Sequence, residues 1–251
     1  TQALKPIKEI ITCDLIIKGH KRAGINIEIA AAKNQSFNQD TIKVFSAFHD
    51  LAAAFFKLEE YNKLQGQFTK ELITAIVKIL EVYDEYTSGH SENVAEIAVE
   101  LAVEMGLKES EIKATYWAGM VHDIGKLLVP LEILNKTTSL TEREYDIIKK
   151  HPRWGYEALQ KSESLAQIAD YVLYHHENWD GSGYPAGLEG KEIPMIAQIL
   201  AVADAWDAMT SNRSYRDPMS KEKAIAELKA NRGTQFSPQV VTAFLKLDRK
   251  C

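Results

Sequence analysis

The chain has 251 residues, of which 45% are hydrophobic and 26% charged, and its formal net charge at pH 7 is −5. These are values typical of a globular protein of one or two domains. The negative net charge argues against a DNA-binding surface, and no apolar run is long enough to cross a membrane. The two cysteines, Cys13 and Cys251, are too few for a disulfide framework, so we expect a reducing, cytoplasmic compartment.

The first 66 residues predict a small segment made of a strand and a helix. Residues 25–32 alternate between apolar and polar and favour a strand, whereas apolar residues at steps of three and four favour a helix over Asp40–Tyr61. The run Asn38-Gln39-Asp40 in front of this apolar helix resembles the end of a GAF domain. We therefore expect residues 1–66 to be the end of a GAF-like sensory module with a linker helix, and residues 67–251 to be a second domain.

Helical periodicity continues almost throughout residues 67–251. Thr141 and Glu144 form a capping box, which opens a helix that we expect to run to His151, where Pro152 ends it. The elements expected in chain order are helices around Leu72–Tyr83, Val94–Met105, Ile112–Val121, Thr141–His151 and Leu165–Leu173, a Gly- and Pro-rich loop over 177–194, and helices around Met195–Met209, Ser220–Ala230 and from Ser237 onward. The sequence therefore predicts a mostly α protein, a helical bundle with one long ordered loop.

Five of the seven histidines fall at predicted helix ends, where their side chains can point into a shared cavity: His90, His122, His151, His175 and His176. A single histidine at a helix end is more often a cap or a core residue, so only their joint placement carries weight. Imidazole suits Fe, Mn or Zn, and a carboxylate can bridge two such ions. Two ions about 3.5–4 Å apart hold phosphoryl oxygens and lower the pKa of a bound water. The pattern indicates metal-dependent phosphate chemistry.

Three ordered motifs carry a family resemblance: HDIGK at 122–126, HHENWDGSGYP at 175–185 and ADAWDAMTSNRSYR at 203–216. Together they resemble the HD-GYP phosphodiesterases, a branch of the HD phosphohydrolases, over roughly residues 68–248. The resemblance implies an HD-type helical bundle and a bacterial signalling enzyme.

The resemblance also implies roles for individual residues. Asp123 would bridge both metal ions, and Lys126 would contact the scissile phosphate. Arg213 and Arg216 would hold the phosphates or bases of the substrate, and Tyr184 would lie at the substrate pocket. The implied metal ligands are His90, His122, Asp123, His151, His175, His176 and Asp204.

The implied cofactors are two divalent transition-metal ions, with Fe or Mn favoured over Zn or Ni. Relatives with a third metal have a glutamate four residues before the first histidine, but this chain has Tyr86 there. A phenol is a poor substitute ligand, so we expect two ions. Asp207 and Glu177 are expected to orient histidines rather than to bind metal directly.

The implied activity is hydrolysis of a cyclic dinucleotide, cyclic di-GMP or 3′,3′-cyclic GMP-AMP, to a linear dinucleotide with a 5′ phosphate, through attack of a metal-bridging hydroxide. Two alternatives stay open: an HD-type phosphohydrolase acting on another nucleotide, and a sensor that binds cyclic dinucleotides without cleaving them. The apolar positions of Tyr61–Tyr83 exceed what one bundle face needs, so we expect a homodimer through this helix.

Overall fold

The structure is a computed structural model that describes residues 7–17, 20–30, 39–83, 89–211 and 217–248. The chain divides into two compact units, Thr1–Leu72 and Ile73–Cys251, and the division falls within one long helix. The sequence places the boundary after residue 66, and the assignment of the first unit to a sensory module stays a prediction.

The first unit contains a two-stranded antiparallel sheet and the beginning of the long helix. Strand β1 (Ile7–Ile17) pairs with β2 (His20–Ala30), from Ile7 opposite Ala30 to Ile17 opposite His20. The expected strand at 25–32 overlaps β2, whereas β1 was not expected. Helix α1 runs unbroken from Gln39 to Tyr83, so the two helices that the sequence separates are one.

The second unit is an all-helical bundle, which confirms the predicted fold class. Its helices are α2 (His90–Glu104), α3 (Glu109–Val121), α4 (Leu131–Leu134), α5 (Glu142–Ile148), α6 (His151–Leu159), α7 (Ala166–Leu173), α8 (Met195–Thr210), α9 (Lys221–Ala230) and α10 (Pro238–Asp248), with 3₁₀ turns at Ile124–Leu128 and Gly190–Glu192. None of the helices in the described ranges is both long enough and apolar enough to cross a membrane.

The core of the bundle is built around α8, which is apolar on nearly all sides because other helices surround it. Ile199, Leu200 and Val202 of this helix are completely inaccessible to solvent. Helices α2 and α3 approach each other so closely that a Cβ atom at Gly119 would lie only 2.7 Å from the Cα atom of Ala95. This close contact fixes the end of α3, from which the HDIGK motif leaves.

The expected end of a helix at Pro152 was wrong. Helix α5 ends at Ile148, and Pro152 lies in the first turn of the next helix, α6. Proline is well tolerated there, since the first amide groups of a helix have no partner within it and the ring fixes a helical φ. As a result His151 begins a helix instead of ending one.

Candidate metal centre

The seven predicted metal ligands come from five separate segments of the bundle and lie close together. His90 and His151 are the first residues of α2 and α6, and His122-Asp123 follows α3 directly. His175-His176 follows α7 after one residue, and Asp204 lies within α8. Their ligand atoms form two groups, His151 with His175 and His176, and His90 with His122 and Asp204, and within each group all atoms lie within 4.8 Å of one another.

Three of the histidines are oriented by the main chain. The Nδ1 atoms of His122, His151 and His175 lie 2.8, 2.8 and 2.6 Å from the carbonyl oxygens of the residues three positions earlier, Gly119, Ile148 and Val172. These carbonyl groups belong to the last turns of helices, where intrahelical partners are missing. A carbonyl oxygen only accepts, so Nδ1 carries the proton, and in the neutral ring Nε2 is left with a free lone pair.

The first group brings two such lone pairs face to face. The Nε2 atoms of His151 and His175 are 3.4 Å apart and buried, and the rings of His175 and His176 lie with their centroids 4.0 Å apart, tilted by 40° to each other. Burial, together with the neighbouring imidazoles, lowers the pKa of His175 well below its usual value and that of His176 to about 3. A buried site at which the lone pairs of neutral imidazoles converge is suited to binding a cation.

The second group offers one unsatisfied nitrogen and one imidazole between carboxylates. His122 Nε2 is buried and makes no hydrogen bond within the described ranges, although Asp123 Oδ2 lies 3.4 Å away. His90 Nε2 lies 3.3 Å from Asp204 Oδ1 and its Nδ1 2.6 Å from Asp207 Oδ2. Burial opposes a charge on His90, but the two carboxylates outweigh it and raise the pKa of His90 to about 10. An imidazole flanked by two carboxylates therefore also provides a position that fits a cation.

Asp123 connects the two groups. Its Oδ1 lies 3.3 Å from Nε2 of His151 in the first group, while its Oδ2 faces His122 and His90 of the second at 3.4 and 4.0 Å. Lys126 Nζ lies 2.7 Å from Oδ2. Burial acts against the charge on this carboxylate, but Lys126 and the histidines hold the pKa of Asp123 well below its usual range. Asp123 is therefore an ionised carboxylate, with one oxygen facing each of the two ligand groups.

Asp207 orients His90, as the sequence predicts for this residue. Its Oδ2 accepts from His90 Nδ1, while its Oδ1 accepts from Asn93 Nδ2 at 3.0 Å and from Ser211 Oγ at 2.7 Å. Sequence reasoning missed Asn93 and Ser211. The signal was present in their spacing, since Ser211 follows Asp207 by one helical turn and Asn93 follows His90 by three residues.

We expect Asp207→Asn to weaken metal binding by about 10- to 100-fold, because the Nδ1–H of His90 loses its charged acceptor. Competition with a chelator of known affinity measures this. Asp170→Asn, an exposed aspartate of α7, is the control and should bind metal like the wild type. Equal affinities for all three proteins would show that Asp207 does not orient a ligand.

The expectation that Glu177 orients a histidine was wrong. Its buried carboxylate accepts three main-chain N–H groups of the following loop, from Ala186 at 2.6 Å, Gly187 at 3.2 Å and Leu188 at 3.1 Å. A buried carboxylate needs such donors, and the loop needs an acceptor for its own amides. Glu177 therefore shapes the Gly-Tyr-Pro loop from inside, although it stands next to the histidine pair in sequence.

Replacing Glu177 with glutamine should lower the free energy of unfolding by about 1–3 kcal/mol, since hydrogen bonds to a charged group become weaker and one amide N–H then faces another donor. Denaturant unfolding and protease sensitivity of the loop at 178–194 test this. The exposed Glu163 provides the matched control, Glu163→Gln. A Glu177→Gln protein with wild-type stability and an equally resistant loop would contradict the assignment.

Gly183 of the Gly-Tyr-Pro turn is required by the close packing of this loop. A Cβ atom there would overlap the main-chain nitrogen of Asn178 and lie 2.5 Å from Cα of Glu177. The following residue, Tyr184, donates its main-chain N–H to the carbonyl of His176 at 3.1 Å. Its ring lies 4.9 Å from that of His176. The turn thus places Tyr184 directly beside a predicted metal ligand.

A cleft of about 350 Å³ opens above these residues. The predicted site residues His175, His176, Tyr184 and Asp204 line it, together with Glu177 and Gly183. Burial raises the pKa of the Tyr184 hydroxyl, so that this group stays a neutral hydrogen-bond donor. Six lining residues were not assigned to the site from the sequence: Tyr145, Asn178, Ser182, Ala201, Ala205 and Gln235. Asn178, Ser182 and Ala205 lie within the motifs, whereas no motif marks Tyr145, Ala201 or Gln235.

Two arginines and one tyrosine of the predicted site lie outside the described residues. Arg213 and Arg216 fall within 212–216, and Tyr86 within 84–88. Substrate binding by the two arginines therefore stays a prediction. The same holds for the expectation that Tyr86, in place of a glutamate ligand, limits the site to two metal ions.

Comparison with known proteins gives a consistent result. The sequence profile of the HD domain family matches residues 74–240. A cyclic di-GMP phosphodiesterase of Thermotoga maritima is 40% identical over 194 residues, which cover 76% of this chain and 53% of that protein. A 3′3′-cGAMP-specific phosphodiesterase of Vibrio cholerae is 39% identical over 180 residues, covering 71% of this chain and 34% of the relative. The chain thus spans about a third to a half of the length of these relatives.

Among solved structures, a cyclic GMP-AMP specific phosphodiesterase of V. cholerae matches with a TM-score of 0.56 at 18% identity, covering 71% of this chain and 48% of that one. At this level of identity the match supports the fold.

Proposed function

Since the chain belongs to the HD domain family, we propose that its helical bundle is a metal-dependent phosphodiesterase of the HD-GYP branch. Its substrate in this proposal is a cyclic dinucleotide, which it opens to a linear dinucleotide with a 5′ phosphate. The observation that carries the proposal is the position of Asp123, an ionised carboxylate with one oxygen facing each of two buried ligand groups. Curated relatives named for cyclic di-GMP and for 3′3′-cGAMP support this class of substrate.

In the proposed site, the two ligand groups together with Asp123 would hold two divalent ions. When bound, such ions act as Lewis acids on phosphoryl oxygens and lower the pKa of a water molecule. Imidazole with carboxylate favours Fe or Mn, and Zn or Ni are alternatives. A count of two rests on Tyr86, and elemental analysis of anaerobically purified protein tests it, since three ions per chain would reject it.

The chain's own residues supply the rest of the chemistry. Lys126 lies 2.7 Å from Asp123 on a stem long enough to turn toward a phosphate, where its ammonium group offsets charge that grows in the transition state. The neutral Tyr184 hydroxyl, at the wall of the cleft, donates to a substrate oxygen. Arg213 and Arg216 complete the proposed phosphate contacts.

The decisive experiment is product analysis. Protein loaded with Mn²⁺ or Fe²⁺ is incubated separately with cyclic di-GMP, 3′,3′-cyclic GMP-AMP and a nucleoside triphosphate. The products are separated by chromatography and identified by mass spectrometry. We expect a linear dinucleotide with a 5′ phosphate from at least one cyclic substrate, and none after chelation. Cleavage of the triphosphate alone would favour a different HD phosphohydrolase. Tight binding of a cyclic dinucleotide without turnover would favour a sensor.

The assembly in this proposal is a homodimer formed through α1, and its proposed location is the cytoplasm. Nine large apolar side chains follow one another along the helix at steps of three or four residues, and each is 41–68% exposed: Leu51, Phe55, Leu58, Tyr61, Leu64, Phe68, Leu72, Ile76 and Ile79. Such spacing is that of a helix that packs against a second helix in a coiled coil. Exposed apolar surface of this extent indicates an interface.

A charge in this apolar stripe should dissociate the dimer. We expect Phe68→Glu with Leu72→Glu to convert the protein from dimer to monomer in sedimentation velocity, because two glutamates cannot be buried against their own copies. Lys78→Glu changes an exposed residue of α1 outside the stripe and should leave the dimer intact. A wild-type protein that sediments as a monomer at micromolar concentration would reject the proposal.

A further inference from the structure

The outer wall of the cleft carries groups that metal and phosphate chemistry does not require. The inner part of the cleft contains the predicted ligands His175, His176 and Asp204, while Tyr145 and Gln235 line it from other elements. Ligand pockets measure about 300–1,000 Å³. The cleft, at about 350 Å³, falls within this range.

Tyr145 presents an aromatic ring to this cleft from a well-anchored helix. Thr141 and Glu144 cap α5 through reciprocal hydrogen bonds, so the first turn of this short helix is held in place. Tyr145 is 50% exposed, and its hydroxyl forms no hydrogen bond within the described ranges. Lys149 Nζ lies over the ring, 5.0 Å from its centroid. Half of the residue is therefore accessible to a ligand in the cleft.

Gln235 reaches the same cleft from the turn between α9 and α10. Two main-chain hydrogen bonds connect this turn to the loop that follows His175-His176. The N–H of Trp179 donates to the carbonyl of Gln235 at 3.1 Å, and the N–H of Asp180 donates to the carbonyl of Thr234 at 2.9 Å. The side-chain amide of Gln235 is exposed and forms no hydrogen bond with another residue of the described ranges. An amide offers donors and acceptors side by side, the arrangement that pairs with the edge of a nucleobase.

We propose that Tyr145 and Gln235 form a nucleobase subsite, in which the Tyr145 ring stacks on one base and the Gln235 amide pairs with its edge. The subsite rests on the proposed function, since it takes its ligand from that substrate class. In this proposal, residues outside the three sequence motifs bind the nucleobase and select which base is bound. Stacking of a base on an aromatic side chain changes affinity by roughly 5- to 150-fold.

The test isolates the contribution of the base. Dissociation constants of GMP, AMP and ribose 5-phosphate, which carries the phosphate and sugar without a base, are measured by titration calorimetry on the Mn²⁺-loaded full chain. We expect one or both nucleotides to bind the wild type roughly 5- to 150-fold more tightly than ribose 5-phosphate. In Tyr145→Leu this ratio should fall to about one, whereas ribose 5-phosphate binds as before. Tyr145→Phe, which keeps the ring, should retain the ratio.

Gln235→Ala tests the second residue, with Gln239→Ala, an exposed glutamine of α10 outside the cleft, as its matched control. We expect Gln235→Ala to reduce the difference in affinity between GMP and AMP, and Gln239→Ala to leave it unchanged. Equal binding of nucleotides and ribose 5-phosphate by the wild type would overturn the subsite, as would an unchanged ratio in Tyr145→Leu.

The experiment separates failure of the subsite from failure of the proposed activity. Turnover of cyclic dinucleotides with unchanged binding ratios in both variants would reject the subsite and keep the activity. A base-dependent affinity that is lost in Tyr145→Leu, in a protein that cleaves no cyclic dinucleotide, would keep the subsite and reject the activity.

Discussion

Replacing Asp123 with alanine is expected to lower kcat for the cyclic dinucleotide by at least about a thousandfold, because a two-metal clamp contributes several kcal/mol to the transition state. Its two oxygens face His151 on one side and His122 with His90 on the other. Asp204 lies within 3.3 Å of His90 but belongs to one ligand group only.

The measurement combines steady-state kinetics with metal content and a thermal melt for each protein. Asp170→Ala, which removes an exposed carboxylate from α7, serves as the control and should keep wild-type kcat. The melt separates a catalytic loss from misfolding, since removal of a buried charge beside Lys126 also changes stability. Activity within tenfold of the wild type, with the metal content unchanged, would reject the bridging role of Asp123.

Among glycine-to-alanine substitutions in the described part of the bundle, Gly125→Ala should lower the free energy of unfolding the most. A Cβ atom at this position would overlap the carbonyl oxygen of His151 and lie 2.7 Å from the main-chain nitrogen of Gly155. Both neighbours are main-chain atoms, so the contact cannot be relieved by a side-chain rotation. We expect a loss of about 3 kcal/mol and a decrease in Tm of roughly 6–12 °C.

The same substitution should also weaken metal binding, because the main chain that must shift is that of His151. Gly66→Ala is the control: no atom lies within 4 Å of its Cβ position in α1, and alanine should be neutral or slightly stabilising there. Thermal melts and chelator competition test both variants. A Gly125→Ala protein that melts within about 2 °C of the wild type would contradict the packing argument.

The sequence predicted the parts of the molecule that local patterns determine. Helical periodicity and caps predicted the bundle, and the family resemblance implied a set of ligands that the fold brings together, from His90 in α2 to Asp204 in α8. Asp207 could be recognised as a partner of a histidine because it stands one turn from Asp204. The prediction at Pro152 was wrong because a proline that ends one helix and a proline in the first turn of the next cannot be told apart from the local sequence.

The residues that escaped prediction are those whose roles depend on contacts between distant segments. Glu177 stands beside the histidine pair, yet its three partners lie 9–11 residues further along the chain. Tyr145 and Gln235 meet at one cleft although 90 residues separate them. Neither periodicity nor a motif encodes such a meeting, because it arises only when the helices have packed.

The wide spacing of the ligand-bearing segments has a consequence for how the bundle holds together. His90 and Asp204 are 114 residues apart in sequence, and the other ligands lie between them on three further segments. An occupied centre would therefore act as a branched cross-link that closes several long loops at once, comparable to disulfides in its effect on the entropy of the unfolded chain. Metal supply would then set not only the activity of the bundle but also its lifetime against unfolding and proteolysis.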